Sequence, residues 1–294
     1  MSDPLTDPLA VVGAVRRAAA EADGQDPLDE AAALHLEHTD PSELVLATEG
    51  SESSGGFALV RGSELDLVVH PDGRGRGLGR ALMTRALDFG SPAHAWSHGH
   101  HPAAATLAGR FGWSATRDLW VMRRPVGPDA VPLPTLQVPD GVTVRGLASA
   151  DPTSAEARAV LAVNAAAFAH HPEQGSLDAE GLAERMAEDW FDPAGLLLAV
   201  DSATDEVLGF HWTKRHDDRT GEVYVVGIGP AAQGRGLGTV LTLAGLHHLA
   251  ERGVAEIILY VESDNAPAVH VYAGLGFTHA DRDTHVQFSA PGAG

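Results

Sequence analysis

The chain carries an internal repeat, and that repeat limits the folds open to it more than any other feature. Arg74-Gly75-Arg76-Gly77-Leu78-Gly79 returns as Gln233-Gly234-Arg235-Gly236-Leu237-Gly238. The setting returns with it. Leu65-Asp66-Leu67-Val68-Val69-His70-Pro71 precedes the first copy and Tyr224-Val225-Val226-Gly227-Ile228-Gly229-Pro230 the second. Each reads as an apolar, β-branched strand stopped by proline. A helical pattern follows each loop, from Ala81 to Leu87 and from Val240 to Leu249. Further on, Arg110-Phe111-Gly112-Trp113 answers Gly274-Leu275-Gly276-Phe277. The repeating unit is strand, Gly-rich loop, helix, strand, helix, Gly-aromatic turn, and two copies mean two similar domains in tandem. The 294 residues suit that count, at roughly 100–200 per domain.

Between the copies, prolines at 125, 128, 132, 134 and 139 interrupt all periodicity. We read 1–124 as the N-terminal domain, 125–140 as a semi-rigid linker and 141–294 as the C-terminal domain. Helices are expected over Leu9 to Ala20 and Leu28 to Leu36, with a strand at Glu43 to Ala47. In the second domain Asp151-Pro152 is expected to open a helix running toward Phe168, with Asp as cap and Pro in the first turn.

Composition narrows the function. Forty acidic against 20 basic residues give a net charge of -20, which repels a phosphate backbone and disfavours nucleic acid as a partner. No cysteine is present, so disulfides, thiolate metal sites and a thiol nucleophile are excluded. No long apolar run marks a membrane span, and the N-terminus lacks a signal-peptide pattern. We expect a cytoplasmic monomer. His94, His98, His100 and His101 are spaced irregularly and are expected to lie in an exposed loop with no metal. His247-His248 is expected on a helix.

Glycines between a strand and a helix let the backbone come close to a ligand, and the amides there point at an anion. No Gly-Lys-Ser/Thr follows, so this is not a Walker loop, and the spacing is not that of a dinucleotide fingerprint. The pattern [Gln/Arg]-x-x-Gly-x-Gly resembles the pyrophosphate loop of the GCN5-related N-acetyltransferases (GNAT). In the second half, His170-His171-Pro172-Glu173-Gln174-Gly175, Phe210 to Lys214, Gly221 to Gly227 and Leu259 to Asn265 resemble the mycothiol synthase family, whose members carry two tandem GNAT domains.

The resemblance implies an α/β fold: two GNAT-type domains, each a mixed, partly parallel sheet flanked by helices. It implies acetyl transfer from acetyl-CoA to the cysteinyl amine of desacetylmycothiol, a Cys–glucosamine–inositol, giving mycothiol and CoA. By the same likeness Glu222 is the general base and Tyr272 the general acid. Acetyl-CoA contacts fall on Val226, Gly227 and Ile228, on Gln233, Gly234, Arg235, Gly236, Leu237, Gly238 and Thr239, and on Asn265, Ala266, Pro267, Ala268, Val269 and His270. In the first domain they fall on Leu67, Val68 and Val69 and on Gly75, Arg76, Gly77, Leu78, Gly79 and Arg80. Acceptor contacts fall on Glu30, Glu173, Lys214, Glu222 and Tyr260, with the acceptor in a cleft between the domains.

Read alone, several of these residues are ordinary. Glu222 is a strand-edge carboxylate, Tyr272 a ring packed on a sheet, Glu173 a turn residue and Lys214 a solvated strand end. The repeat supplies a contrast. Aligning the loops sets Ser63 opposite Glu222, and aligning the Gly-aromatic turns sets Ala108 opposite Tyr272. The first domain keeps the cradle and lacks both proton-transfer groups. It is expected to be non-catalytic while able to bind acetyl-CoA. Gly227 is expected to mark a bulge or close approach, near strands that splay and free an amide for the thioester oxygen. Two alternatives stay open: another small amine as acceptor, and an acetyl-CoA sensor without turnover.

Overall fold

The computed structural model describes residues 7–169, 175 and 177–293. The chain forms two compact units. One comprises Met1–Trp120 with Glu262–Asp264 and Ala280–Gly294, and the other Val121–Val261 with Asn265–His279. Among the described residues no helix is long and apolar enough to cross a membrane.

In the first unit, α1 (Pro8–Asp23) starts where the Asp7 carboxylate accepts the Leu9 amide, and it stops at Gly24, in the left-handed region at φ 73°. Its buried residues Val11, Val12, Val15 and Ala19 recur at helical spacing and face one side. Asp29 caps α2 (Glu30–His38). β1 (Val45–Glu49), β2 (Gly56–Arg61) and β3 (Glu64–Val69) form an antiparallel meander. Then come α3 (Leu78–Phe89), β4 (His94–Ser97), α4 (Pro102–Arg110) and β5 (Ser114–Pro125). β4 lies parallel to β3 through the pair Glu64↔His94.

The second unit repeats the plan: β6 (Val142–Gly146), α5 (Ala155–Ala167), α6 (Ala179–Ala187), β7 (Leu196–Asp201), β8 (Val207–Arg215), β9 (Thr220–Ile228), α7 (Leu237–Glu251), β10 (Glu256–Glu262) and α8 (Ala266–Gly274). β6 to β9 are antiparallel neighbours, and β10 pairs in parallel with β9. One face of this sheet packs Phe210 and Trp212 against Val160 of α5 and Leu182 of α6. The other packs Leu197 and Leu208 under Leu237 and Leu241 of α7. Trp212 is fully buried, and removing its ring would cost about 3–5 kcal/mol.

Four features differ from the sequence reading. The expected C-terminal domain, 141–294, takes in the last strand, β11 (Thr278–Ser289). Its residues Val286 to Ser289 instead pair antiparallel with Ser97 to His94 of β4, inside the first unit. The end of β5 lies in the second unit, where Val126 donates to the Ala255 carbonyl at 2.9 Å. The repeat read from the sequence ends at the Gly-aromatic turn and does not say which sheet receives the strand that follows.

The helix expected to open at Asp151 opens at Ala155. Asp151 spends its carboxylate on the Thr153 amide and hydroxyl, and Ser154 supplies the cap to Ala157. The histidines do not share one exposed loop. His94 lies in β4 against Ser289, His98 packs edge-on against His285, and His101 caps α4, which leaves His100 exposed. His247 and His248 do lie on α7, bonded to the Pro134 carbonyl and Asp192.

The proline-rich segment is tied down within the second unit. The buried Arg124 guanidinium donates to the carbonyls of Leu275, Pro125, Val131 and Pro132. It thereby fixes that segment and the C-terminal end of α8 together.

Candidate active site

The two Gly-rich loops have the same backbone. Gly75 and Gly77 sit at φ 75° and 88°, and Gly234 and Gly236 both at 76°. A Cβ at any of the four would meet nothing within 4 Å. Glycine is therefore required by the left-handed backbone, with open space in front of it. Each loop runs into a helix, α3 or α7, whose N-terminus has no side-chain cap. The other described α-helices are all capped, by Asp7, Asp29, His101, Ser154, Asp178 and Asn265. Two helix starts thus keep their amides available, and both stand behind the repeated loops. Free N-terminal amides and the helix dipole make an anion site. That is the fit expected for the pyrophosphate of acetyl-CoA.

In the first unit this cradle opens on a cavity of about 500 Å³. Of the nine cofactor residues expected there, all but Arg76 line it. Arg74 also lines it, held by Asp23 through two bonds of 2.6 and 2.7 Å. Ser63 and Ala108 occupy the places that correspond to Glu222 and Tyr272. Ser63 lies in the turn before β3, and Ala108 is buried in the core.

In the second unit Gln233 to Gly236 form the loop and Leu237 to Thr239 begin α7. Val226, Gly227 and Ile228 end β9, and the segment from Asn265 to His270 forms the start of α8, with Asn265 as its cap. β9 and β10 pair only from Thr220↔Glu256 to Val223↔Leu259. Beyond Val223 the parallel strands part, and Tyr224 to Ile228 face the opening. The β8–β9 ladder shifts register at Tyr224, opposite Trp212 and Thr213. The bulge is therefore at Tyr224, not at Gly227. Gly227 answers a different demand, since a Cβ there would fall 2.6 Å from the Phe210 ring.

Glu222 is 5% exposed, so it is no solvated strand-edge carboxylate. Its Oε2 lies 2.6 Å from His216 Nε2. Lys214 is its cross-strand neighbour on β8 and is 8% exposed, so it is no solvated strand end either. The Lys214 ammonium sits 4.7 Å from the Trp190 ring centre and 5.3 Å from that of Tyr224. Arg185 donates to the Tyr224 hydroxyl at 3.1 Å. Tyr260 stands two residues past Ile258, the partner of Glu222, so pleating puts it on the same sheet face. It is 42% exposed. The fold thus gathers Lys214, Glu222 and Tyr260 on one face, where β9 and β10 part.

Tyr272, on α8, packs its ring edge-on against Phe277, and burial pushes its phenol above the ordinary value. The group keeps its proton through neutral pH. Glu30 is exposed at the start of α2 in the first unit, while its neighbour Asp29 is committed to capping that helix at 2.6 Å. Glu173 lies outside the described residues.

Sequence reading missed His216, Trp190 and Arg185. A signal for His216 was present. Asp217-Asp218 is the turn of a β-hairpin, and closing it pairs His216 with Thr220, which sets residue 216 diagonally beside residue 222 on one face. Trp190 and Arg185 come from the α6 region, and no local pattern ties them to β9.

Comparison with known proteins agrees with this geometry. The acetyltransferase (GNAT) family model matches twice, at residues 19–113 and 164–277. A mycothiol acetyltransferase of Nocardioides sp. is 60% identical over 98% of this chain and 99% of its own length. One from Nocardia farcinica is 48% identical over 94% and 92%. Among solved structures, a GCN5-related N-acetyltransferase from Sphaerobacter thermophilus superposes with a TM-score of 0.70 at 22% identity, covering 96% of this chain and 93% of that one. A tandem GNAT protein from the clavulanic acid pathway gives 0.68 at 21%, covering 98% and 96%, and these two speak for the fold alone. The chain belongs to the acetyltransferase (GNAT) family, as a tandem-domain member related along nearly its whole length to the mycothiol acetyltransferases.

Proposed function

We propose that the second unit transfers the acetyl group of acetyl-CoA to the cysteinyl amine of desacetylmycothiol, releasing mycothiol and CoA as the last step of mycothiol formation. Acetyl-CoA supplies an acetyl group activated as a thioester. The rest of the chemistry is proton handling. A free α-amino group has a pKa near 8, so roughly a tenth of it is neutral at pH 7 and the remainder must lose a proton. Glu222 takes that proton. Tyr272 gives one to the sulfur as the C–S bond breaks, so an amine and a thioester become an amide and a thiol. An amide of β9 past Val223, where the parallel ladder has ended, serves the thioester oxygen.

The observation that carries this reading is the burial of Glu222 beside Lys214 where β9 and β10 part, at a position where the first unit has Ser63. Lys214, Tyr260 and Glu173 are the acceptor contacts of this unit and Glu30 that of the first. Carboxylates and a phenol suit an acceptor with a cationic amine and two polyhydroxylated rings. The first unit binds acetyl-CoA without turnover. The protein acts as a cytoplasmic monomer with no nucleic-acid or membrane partner.

Incubation with acetyl-CoA and the Cys–glucosamine–inositol amine should yield the N-acetylated product by mass spectrometry, with one thiol released per product. Faster thiol release with another amine from a panel would reassign the acceptor. No thiol release with any amine would leave the sensor reading.

A further inference from the structure

We propose that His216 is a positioning residue for Glu222, holding its carboxylate and carrying its proton out to solvent. The inference rests on Glu222 being the base. A buried base faces a problem that its own geometry does not solve: each turnover loads one proton onto a carboxyl that is 7% exposed in its side chain. That proton must leave before the next amine can be deprotonated. His216 Nε2 lies 2.6 Å from Glu222 Oε2, and the His216 side chain is 35% exposed. His216 also lines a cavity of about 610 Å³ within the second unit. It touches both the buried carboxylate and the cavity.

Most other charges around it are engaged elsewhere. Arg215 pairs with Asp218 at 3.0 Å, and Asp217 accepts the Arg219 and Thr220 amides at 2.7 Å. Asp192 is held by His248 and Arg252 across the cavity. Lys214 lies over its two aromatic rings. Glu188 and Asp189 complete the charged lining and give the cavity an acidic, water-accessible wall. The backbone fixes the ring as well, since the His216 amide donates to the Thr220 carbonyl at 3.0 Å and holds the hairpin that sets residues 216 and 222 side by side.

The step balances in protons alone. The amine's proton moves to Glu222, from Glu222 Oε2 to His216 Nε2, and from His216 Nδ1 to cavity water. The imidazole ends neutral, with its Nε2–H donating to the restored carboxylate, and the next ring tautomerisation through water resets it.

The test uses His216→Gln in the full chain. Its amide N–H can still reach the carboxylate but cannot pass a proton on. We expect an unchanged thermal midpoint, an unchanged KM for the acceptor amine, and a kcat lowered by about tenfold in dilute buffer. Added imidazole should restore most of that rate. Unaltered kcat, or a loss that imidazole does not restore, would overturn the relay. His216→Ala should add a rise in acceptor KM, because the carboxylate then loses its partner. If Glu222→Gln itself stays active, the base assignment fails. If Glu222→Gln is inactive while His216→Gln matches the parent, only the inference about His216 fails.

Discussion

The two cradles are alike in backbone and unlike in what surrounds them. Both have two left-handed glycines and an uncapped helix behind them. Around the second stand Glu222, Lys214 and Tyr260. In the first, the places that correspond to Glu222 and Tyr272 hold Ser63 and Ala108. The lesson concerns where each property is stored. Holding an anion depends on amide direction and a helix start, which several glycines specify jointly. Moving a proton depends on single side chains, which one codon can remove. A duplicated scaffold can therefore bind twice and react once.

The largest expected effect tests that asymmetry. Glu222→Gln should cut turnover by about 10²–10⁴-fold, the usual range for a positioned base, and Tyr272→Phe by about tenfold or more. Ser63→Ala and Ala108→Ser should leave turnover as it was. Steady-state thiol release decides between them. If neither Glu222→Gln nor Tyr272→Phe loses tenfold, the chemistry is not where the comparison puts it. Tyr272 also fixes a sign in pH. Its phenol is raised by burial, so the alkaline fall of kcat should come later than an exposed tyrosine would give, and Tyr272→Phe should abolish that limb.

The next effect lies in the cores. The loop offset sets Gly245 of the second unit in the place of Ala86, and the paired strands set His211, opposite Val226, in the place of Ala58, opposite Leu67. Bulk has moved from helix to strand, and a Cβ on Gly245 would fall 2.0 Å from the His211 ring. His211 is fully buried, donates through Nδ1 to the Leu241 carbonyl at 2.8 Å, and has its imidazole pushed down to about 4 by burial. The unfolded chain takes up that proton below pH 6.5, and the folded chain resists until about pH 4. This group's contribution is therefore complete above 6.5 and lost as pH falls toward 4, by about 3 kcal/mol. His211→Ala with Gly245→Ala, which recreates the first unit's pair, should flatten denaturation free energy over that window relative to the parent. Gly245→Ala alone should destabilise at every pH by overpacking.

Much of this was legible from sequence because it is local. A glycine between a strand and a helix announces its φ, and a repeat announces a second unit. Most of what escaped was decided by distance, and one feature by local competition. β11 joins β4 although nearly two hundred residues separate them, and no local pattern names its partner. Asp151 looked like a cap, but its carboxylate found Thr153 first. Gly227 reads as a bulge or a close approach, yet the register shift falls at Tyr224 and the close approach is to the Phe210 ring. The site divides the same way. Glu222 and Tyr272 could be named by resemblance, and His216 could have been reached by counting the hairpin. Trp190 and Arg185 required the packed structure.

A smaller effect separates the cradles directly. Valine at a left-handed position is strained by about 1–2 kcal/mol and places a branched side chain where the anion must lie. Gly236→Val should raise the KM for acetyl-CoA by about tenfold, which is 1.4 kcal/mol. Gly77→Val should leave kinetics unchanged while abolishing one of two binding events in calorimetric titration. Equal kinetic damage from the two variants would mean that the first cradle takes part in turnover.

The smallest effect concerns Arg74, which stands at the first cradle where the second has the neutral Gln233. Its guanidinium is committed to Asp23 by two short bonds, with a third to the Val69 carbonyl at 3.2 Å. Both partners are roughly 30% exposed, so the pair is worth at most about 1 kcal/mol. To meet a phosphate, Arg74 must give up the carboxylate or share it. Asp23→Asn removes the competitor. In a Gly236→Val background, where the first unit dominates binding, it should tighten acetyl-CoA by up to about fivefold. It should also cost less than about 1 kcal/mol of stability. Asp129→Asn makes the same charge change at an exposed place in the second unit and should leave the affinity alone. Weaker binding in Asp23→Asn would mean that Asp23 aims Arg74 at the ligand rather than holding it back, so that the charged part of the first cradle is preassembled like its glycines.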